Sequence, residues 1–211
     1  MLKSLTRLAP AIALAALCIT LPAKADVASE KAELLRHANE TVNHLRHDPA
    51  FATAKTMLQG AEAVYIVPKL VKGGFIFGAE GGAGVLVPRS GKGWGEPKFY
   101  DMGSASFGLQ AGLEQAELVF IINSERALSG IEHGNFKLGA GAGLTVVNLS
   151  SGAEGATTAH GGDIVVWTSG SGAYAGLTFN GSVISPDKDM NSTPTMGPEA
   201  QKLRANLASV R

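Results

Sequence analysis

The chain has 211 residues, 18 basic and 18 acidic side chains, a formal net charge of +0, 27 glycines and one cysteine. A balance this even lacks the positive charge expected of a nucleic-acid binder. A lone Cys18 excludes a disulfide framework and a cysteine metal site.

The first 25 residues read as a secretory signal peptide. Lys3 and Arg7 form a basic head, Leu8 to Leu21 run mostly apolar, and Ala23-Lys24-Ala25 supplies a small-x-small cleavage site. The run is too short to span a membrane, which takes about 20 apolar residues. Leu17 before Cys18 argues against lipidation there. Export to the periplasm, the cell envelope or the medium is the expectation, with a working protein that starts at Asp26. Removing Lys3, Arg7 and Lys24 leaves 15 basic against 18 acidic residues, a net charge of −3 over a length that fits one domain.

Within that domain, residues 26–59 contain no glycine, whereas all 27 fall between Gly60 and Gly197. Glycine costs about 1 kcal/mol in a helix interior, so the first stretch is expected to be helical. Leu35, Ala38, Val42 and Leu45 make one apolar stripe at helical spacing, with Ser29 as the expected cap. Asp48-Pro49 should end this helix and start another, Asp48 capping it and Pro49 in its first position. Gly60 should stop that second helix.

From residue 60 to 211 the pattern becomes β-like. Strands are expected at 63–68, 75–80, 85–89, 104–113, 118–123, 136–147, 164–168 and 173–179. A short helix capped by Ser124 interrupts them, and a last helix runs over 197–210 through Leu203 and Leu207. Short strands at this spacing suggest a sandwich or barrel. The expected fold class is α+β: an antiparallel, strongly coiled sheet or small barrel with the N-terminal helices packed against it.

Several blocks in this region form an ordered series. They are Pro68-Lys69-Leu70-Val71-Lys72-Gly73-Gly74-Phe75-Ile76-Phe77-Gly78, then Gly82-Ala83-Gly84-Val85-Leu86-Val87-Pro88-Arg89, then Gly93-Trp94-Gly95-Glu96-Pro97 and Ser106-Phe107-Gly108-Leu109-Gln110-Ala111-Gly112. Tyr174-Ala175-Gly176-Leu177 and Gly181-Ser182-Val183-Ile184 follow. Together they resemble the SYLF domain, the actin-binding domain of certain yeast endocytic adaptors, across about residues 55–195. Ser192-Thr193-Pro194 after Asn191 departs from the family, which often places a tyrosine there. The resemblance implies binding of phosphoinositides and other phospholipids, actin binding in eukaryotic relatives, and no catalytic residues. Because an exported protein would not meet actin in its own cell, actin is not the expected partner.

Other chemistry is weaker. Gly82-Ala83-Gly84 and Gly139-Ala140-Gly141-Ala142-Gly143 open no helix and lack a Gly-Lys-Ser/Thr, so they fit closely packed strands better than a nucleotide cradle. His37, Glu40, His44 and His47 share a helical face opposite the apolar stripe; a solvated face is the better reading than a zinc patch. No Gly-x-Ser-x-Gly elbow is present, and His133 and His160 have no evident nucleophile. No cofactor and no metal are expected.

Lys69, Lys72, Arg89, Lys92 and Lys98 cluster in sequence around Trp94. They are the candidate lipid-binding residues, cations for anionic head groups beside an interfacial tryptophan. Turn charges around a Trp94 packed as core are the alternative. The expected function is non-catalytic binding of anionic phospholipid or a membrane surface in the envelope. A structural or protein-interaction role comes second and an envelope hydrolase third.

Overall fold

The computed structural model describes residues 24–74, 77–107, 112–134, 136–138, 146–149, 162–169, 181–195 and 197–210. The signal segment before Lys24, the strand expected at 173–179, the repeat Gly139 to Gly143 and His160 lie outside the described residues.

Helix α1, Lys24–His47, starts upstream of Ser29, which therefore lies inside the helix and does not cap it. Helix α2 is Phe51–Gly60. It begins two residues later than Pro49 because Asp48 closes a tight turn first: the Phe51 N–H donates to the Asp48 carbonyl at 2.9 Å and the Ala50 N–H to Asp48 Oδ1 at 2.8 Å. Leu35, Ala38, Val42 and Leu45 are all buried, so the stripe is the packing face.

The strands are β1 Ala63–Gly74, β2 Phe77–Ser90, β3 Gly93–Trp94, β4 Lys98–Phe107, β5 Gly112–Ile122, β6 Phe136–Lys137, β7 Val146–Leu149, β8 Ile164–Thr168 and β9 Val183–Pro186. Between β5 and β6 lies α3, Glu125–Glu132, where Ser124 Oγ accepts the Ala127 N–H. A 3₁₀ turn, Met190–Ser192, precedes the last helix, α4, Pro198–Ala208. The runs expected separately at 75–80 and 85–89 join in one 14-residue strand, β2, because the glycines between them stay extended.

Among the described residues the sheet runs β6-β9-β4-β2-β1-β5-β8-β7, with β3 on β2, and curls into a half-barrel. Pairing is antiparallel except for β7 beside β8, which is parallel. Strand β1 carries an irregularity at Pro68-Lys69, where its pairing with β5 shifts between Val67 and Leu70. Proline has no N–H to give the ladder, so the pairing breaks there.

Both faces of the sheet are covered. Val64, Ile66, Val119 and Ile121 pack with α1, α2 and α4 in one cluster. Tyr65, Val67, Leu118 and Phe120 pack with α3 in the other, inside the curl. Hence Ala63–Val67 is buried without a break, as happens where a sheet has no wet side. Each fully buried aliphatic side chain contributes about 1.5–3 kcal/mol. Glycine is required at Gly84, because a Cβ there would sit 2.5 Å from the Tyr65 ring. This is close packing of strands, the use expected for Gly82-Ala83-Gly84.

Candidate functional site

The end of β2 turns through Gly91, at φ 56°, and Lys92 into β3. That reversal needs the left-handed conformation glycine adopts without strain. It pairs Arg89 with Trp94 across two short strands. The Arg89 guanidinium lies 3.8 Å from the Trp94 ring centroid. Its Nε donates to the Ala61 carbonyl at 3.0 Å, and one terminal nitrogen donates to the carbonyls of Leu58 and Gln59. Leu58 and Gln59 are in the last turn of α2 and Ala61 follows it; the helix-end carbonyls lack helical partners and carry the negative end of the helix dipole. Arg89 thus ties three elements together through carbonyls and a π face.

Helix α4 closes the site from above. Arg204 Nε donates to the Trp94 carbonyl at 2.8 Å, while Leu203, Leu207 and Val210 are buried. Arg46 on α1 donates to Asn206 Oδ1 at 2.7 Å, and Asn206 Nδ2 donates to Asn39 Oδ1 at 2.8 Å. A cleft of about 430 Å³ remains, lined by Leu58, Gln59, Arg89, Lys92, Leu207 and Val210, among others. Lys92 is exposed on its rim, and Arg204, which reaches the Trp94 carbonyl, is exposed on α4. Apolar walls under a cationic rim can hold a group with an anionic head and an apolar stem.

The sequence-predicted residues do not share one place. Arg89, Lys92 and Trp94 meet at this cleft, but Trp94 is only 4% exposed. Its ring therefore belongs to the core, the alternative weighed above. Lys69 is exposed at the β1 irregularity; it stands six residues beyond the Ala63–Pro88 pair, roughly 20 Å along the strand at about 3.3 Å per residue. Lys72 pairs in register with Glu80 and Glu114, and its side chain lies outside the described residues. Lys98 sits across β4 beside α3, where Nζ meets Glu132 Oε1 at 2.8 Å. That hydrogen bond raises the lysine's pKa against the opposing effect of burial.

Sequence reasoning missed Arg204. The helical spacing of Leu203 and Leu207 gave the buried face of α4, but nothing in the sequence says which strand a neighbouring arginine meets.

The histidines go elsewhere. His37 pairs with Glu40 at 3.1 Å, and His47 with the Asn43 carbonyl at 2.7 Å. His44 is not merely solvated: its Nδ1 lies 2.9 Å from Glu117 of β5, which also accepts from Thr41 at 2.8 Å. His133 Nδ1 lies 2.6 Å from the Ser129 carbonyl at the end of α3.

Comparison with known proteins finds a family match over part of the chain. Residues 103–194 match the family described as "Ysc84: Las17-binding protein actin regulator". The chain is 32% identical over 140 residues to Protein YSC84 of Saccharomyces cerevisiae, covering 64% of this chain and 30% of that protein. It is 30% identical over 140 residues to LAS seventeen-binding protein 3 of the same yeast, with the same coverage. It is 28% identical over 167 residues to SH3 domain-containing YSC84-like protein 1 of Homo sapiens, covering 78% of this chain and 48% of that protein. The matches therefore span less than half the length of these relatives. No solved structure matches the chain. The resemblance to the SYLF family read from the sequence is thus shown, in a family also named for Ysc84. The family's description as an actin regulator weighs weakly against the expectation that actin is an unlikely partner.

Proposed function

We propose, from the premise of a Ysc84/SYLF domain, that this protein is a non-catalytic module that binds anionic phospholipid in the cell envelope through the Lys92 cleft. The observation that carries the reading is the pairing of a cationic rim with apolar walls at one opening between α2, the β2–β3 turn and α4. Each Lys or Arg near an anionic surface adds about 1 kcal/mol. At net charge −3 for residues 26–211 the attraction is local, acting within a Debye length of about 8–10 Å.

The test is co-sedimentation of residues 26–211 with liposomes. Binding to phosphatidylglycerol-containing vesicles should weaken with salt and be absent on pure phosphatidylcholine. Replacing Lys92 and Arg204 with glutamate should abolish it, since two reversals remove about 4 kcal/mol by the same scale. Undiminished binding by that folded double variant would overturn the cleft assignment. The family description supports a second reading, a protein partner of the actin-regulatory kind. Co-sedimentation with filamentous actin, without lipid, separates the two. Mass spectrometry of the envelope fraction should recover a chain that starts at Asp26; recovery only of unprocessed cytoplasmic chain would remove the envelope from the proposal.

A further inference from the structure

The sequence offers Trp94 among cations as a membrane anchor, yet the structure buries its ring and lays α4 over it. Arg204 Nε holds the Trp94 carbonyl at 2.8 Å, and Leu203, Leu207 and Val210 sit in the same apolar cluster as Trp94. With Ala200 they form a buried stripe at helical spacing. Gln201, Lys202, Arg204 and Ala205 face solvent. Helix α4 is therefore amphipathic, with cations on its wet side, the pattern of helices that lie in a membrane interface.

Much of the hold of α4 on α1 is polar. Arg46 Nη1 donates to Asn206 Oδ1 at 2.7 Å and to Ser209 Oγ at 2.9 Å. Asn206 Nδ2 donates in turn to Asn39 Oδ1 at 2.8 Å and to Asn43 Oδ1 at 2.9 Å. Asn43 and Ser209 are exposed, and Arg46 and Asn206 are half-buried, so water can take over these bonds at small net cost. At its start α4 hangs from Gly197-Pro198, with no side chain at the first residue and no N–H at the second. Glu199 Oε2, in the first turn, is buried without a hydrogen-bond partner among the described residues. An orphaned oxygen of this kind is a cost that release of the helix would relieve.

We propose that α4 is a strap over the Arg89–Trp94 pair, and that an anionic lipid surface releases it. Release bares the Trp94 ring and the apolar stripe of α4 together. Both then meet the apolar boundary of the bilayer, while Lys202 and Arg204 meet its head groups. Only the released form offers these groups, so lipid binds it in preference and shifts the equilibrium toward it. In water the stripe has no better partner than the helices and sheet beneath it, and the strap stays seated. This mechanism rests on the reading of the Lys92 face as the lipid-binding one, and it adds the motion that opens that face.

The test uses residues 26–211, which contain no cysteine. Asn39→Cys with Asn206→Cys replaces a hydrogen-bonded pair, and a short bis-methanethiosulfonate then bridges α1 to α4 through the two thiols. Phosphatidylglycerol vesicles should bind the bridged protein at least tenfold more weakly than the same protein after reductant, both forms being folded by circular dichroism. Vesicles with brominated acyl chains should quench the tryptophan emission of the parent. Trp94→Phe should remove more than half of that quenching, which assigns it to Trp94 and not to Trp167 on β8. Two results would overturn the strap: less than tenfold loss in the bridged form, or less than half of the quenching removed in the folded Trp94→Phe variant. Either result with a parent that still binds vesicles removes the strap alone and leaves the cleft as a surface site. A parent that binds no vesicles removes both.

Discussion

Replacing Arg89 with alanine separates what this residue does for the fold from what it does for a ligand. The substitution removes donors to the Ala61, Leu58 and Gln59 carbonyls and a guanidinium 3.8 Å from the Trp94 ring. Two well-formed hydrogen bonds contribute about 1 kcal/mol each, the long third one less. Stacking of a partly buried guanidinium on tryptophan adds about 1–2 kcal/mol. The expected loss is therefore about 3–4 kcal/mol, and for a chain of this size each kcal/mol moves the midpoint by about 2–4 °C. Arg89→Ala should lower the thermal midpoint by roughly 6–16 °C, read by circular dichroism. Arg89→Lys retains the charge but loses the fork and the planar stack, so it should recover less than half of that. A midpoint within 2 °C of the parent for Arg89→Ala would refute the reasoning and free Arg89 for a role at the surface alone.

Gly84→Ala should destabilise by about 1–3 kcal/mol, the usual cost of overpacking, because its Cβ would meet the buried Tyr65 ring at 2.5 Å; the midpoint of urea unfolding measures it, and an unchanged midpoint would show that β2 can move aside. Asp101 has its pKa raised, first by burial and then by Asp187. A raised acid favours the protonated form in the fold, so its charge weakens the native state at neutral pH and that penalty fades as pH falls through the raised value. Asp101→Asn should thus raise the thermal midpoint at pH 7, with the gain shrinking toward pH 3; a gain equal at both pH values would rule out the charge as its cause. Ser124→Ala should cost about 1 kcal/mol through loss of the α3 cap, seen as a lower urea midpoint without a change in the far-ultraviolet spectrum.

The helices were the legible part of the sequence. The stripe Leu35, Ala38, Val42 and Leu45 and the Ser124 cap state local rules, and the packed structure obeys them. The Asp48-Pro49 boundary was right within two residues, the difference being a turn that the Asp48 side chain completes before helical bonding resumes. Strand identity was legible where β-branched residues concentrate, as at Ile164–Thr168, but strand length was not. Glycines that read as punctuation in 81–84 lie inside β2, where the ladder with β4 holds them extended. The candidate site was legible only in part, because proximity in sequence is not proximity across a sheet. Arg89, Lys92 and Trp94 stay together through a hairpin, whereas Lys69 and Lys98 are carried away along β1 and across to β4. That Trp94 is buried depends on α4, more than a hundred residues later, and no local pattern announces it.

The strand order bears on how this molecule can be dissected. The family match begins at residue 103, inside β4, and ends before α4. A fragment cut to those limits would lose β1 and β2, the pair at the centre of the sheet. Strand β5 would then present a bare edge of main-chain groups where β1 had paired along ten residues, the kind of edge that recruits other chains. The helices that roof one face would go as well. Such a fragment should be recovered as aggregate, and the smallest autonomous unit must reach back to α1 and forward through Val210, because its middle was built from its beginning.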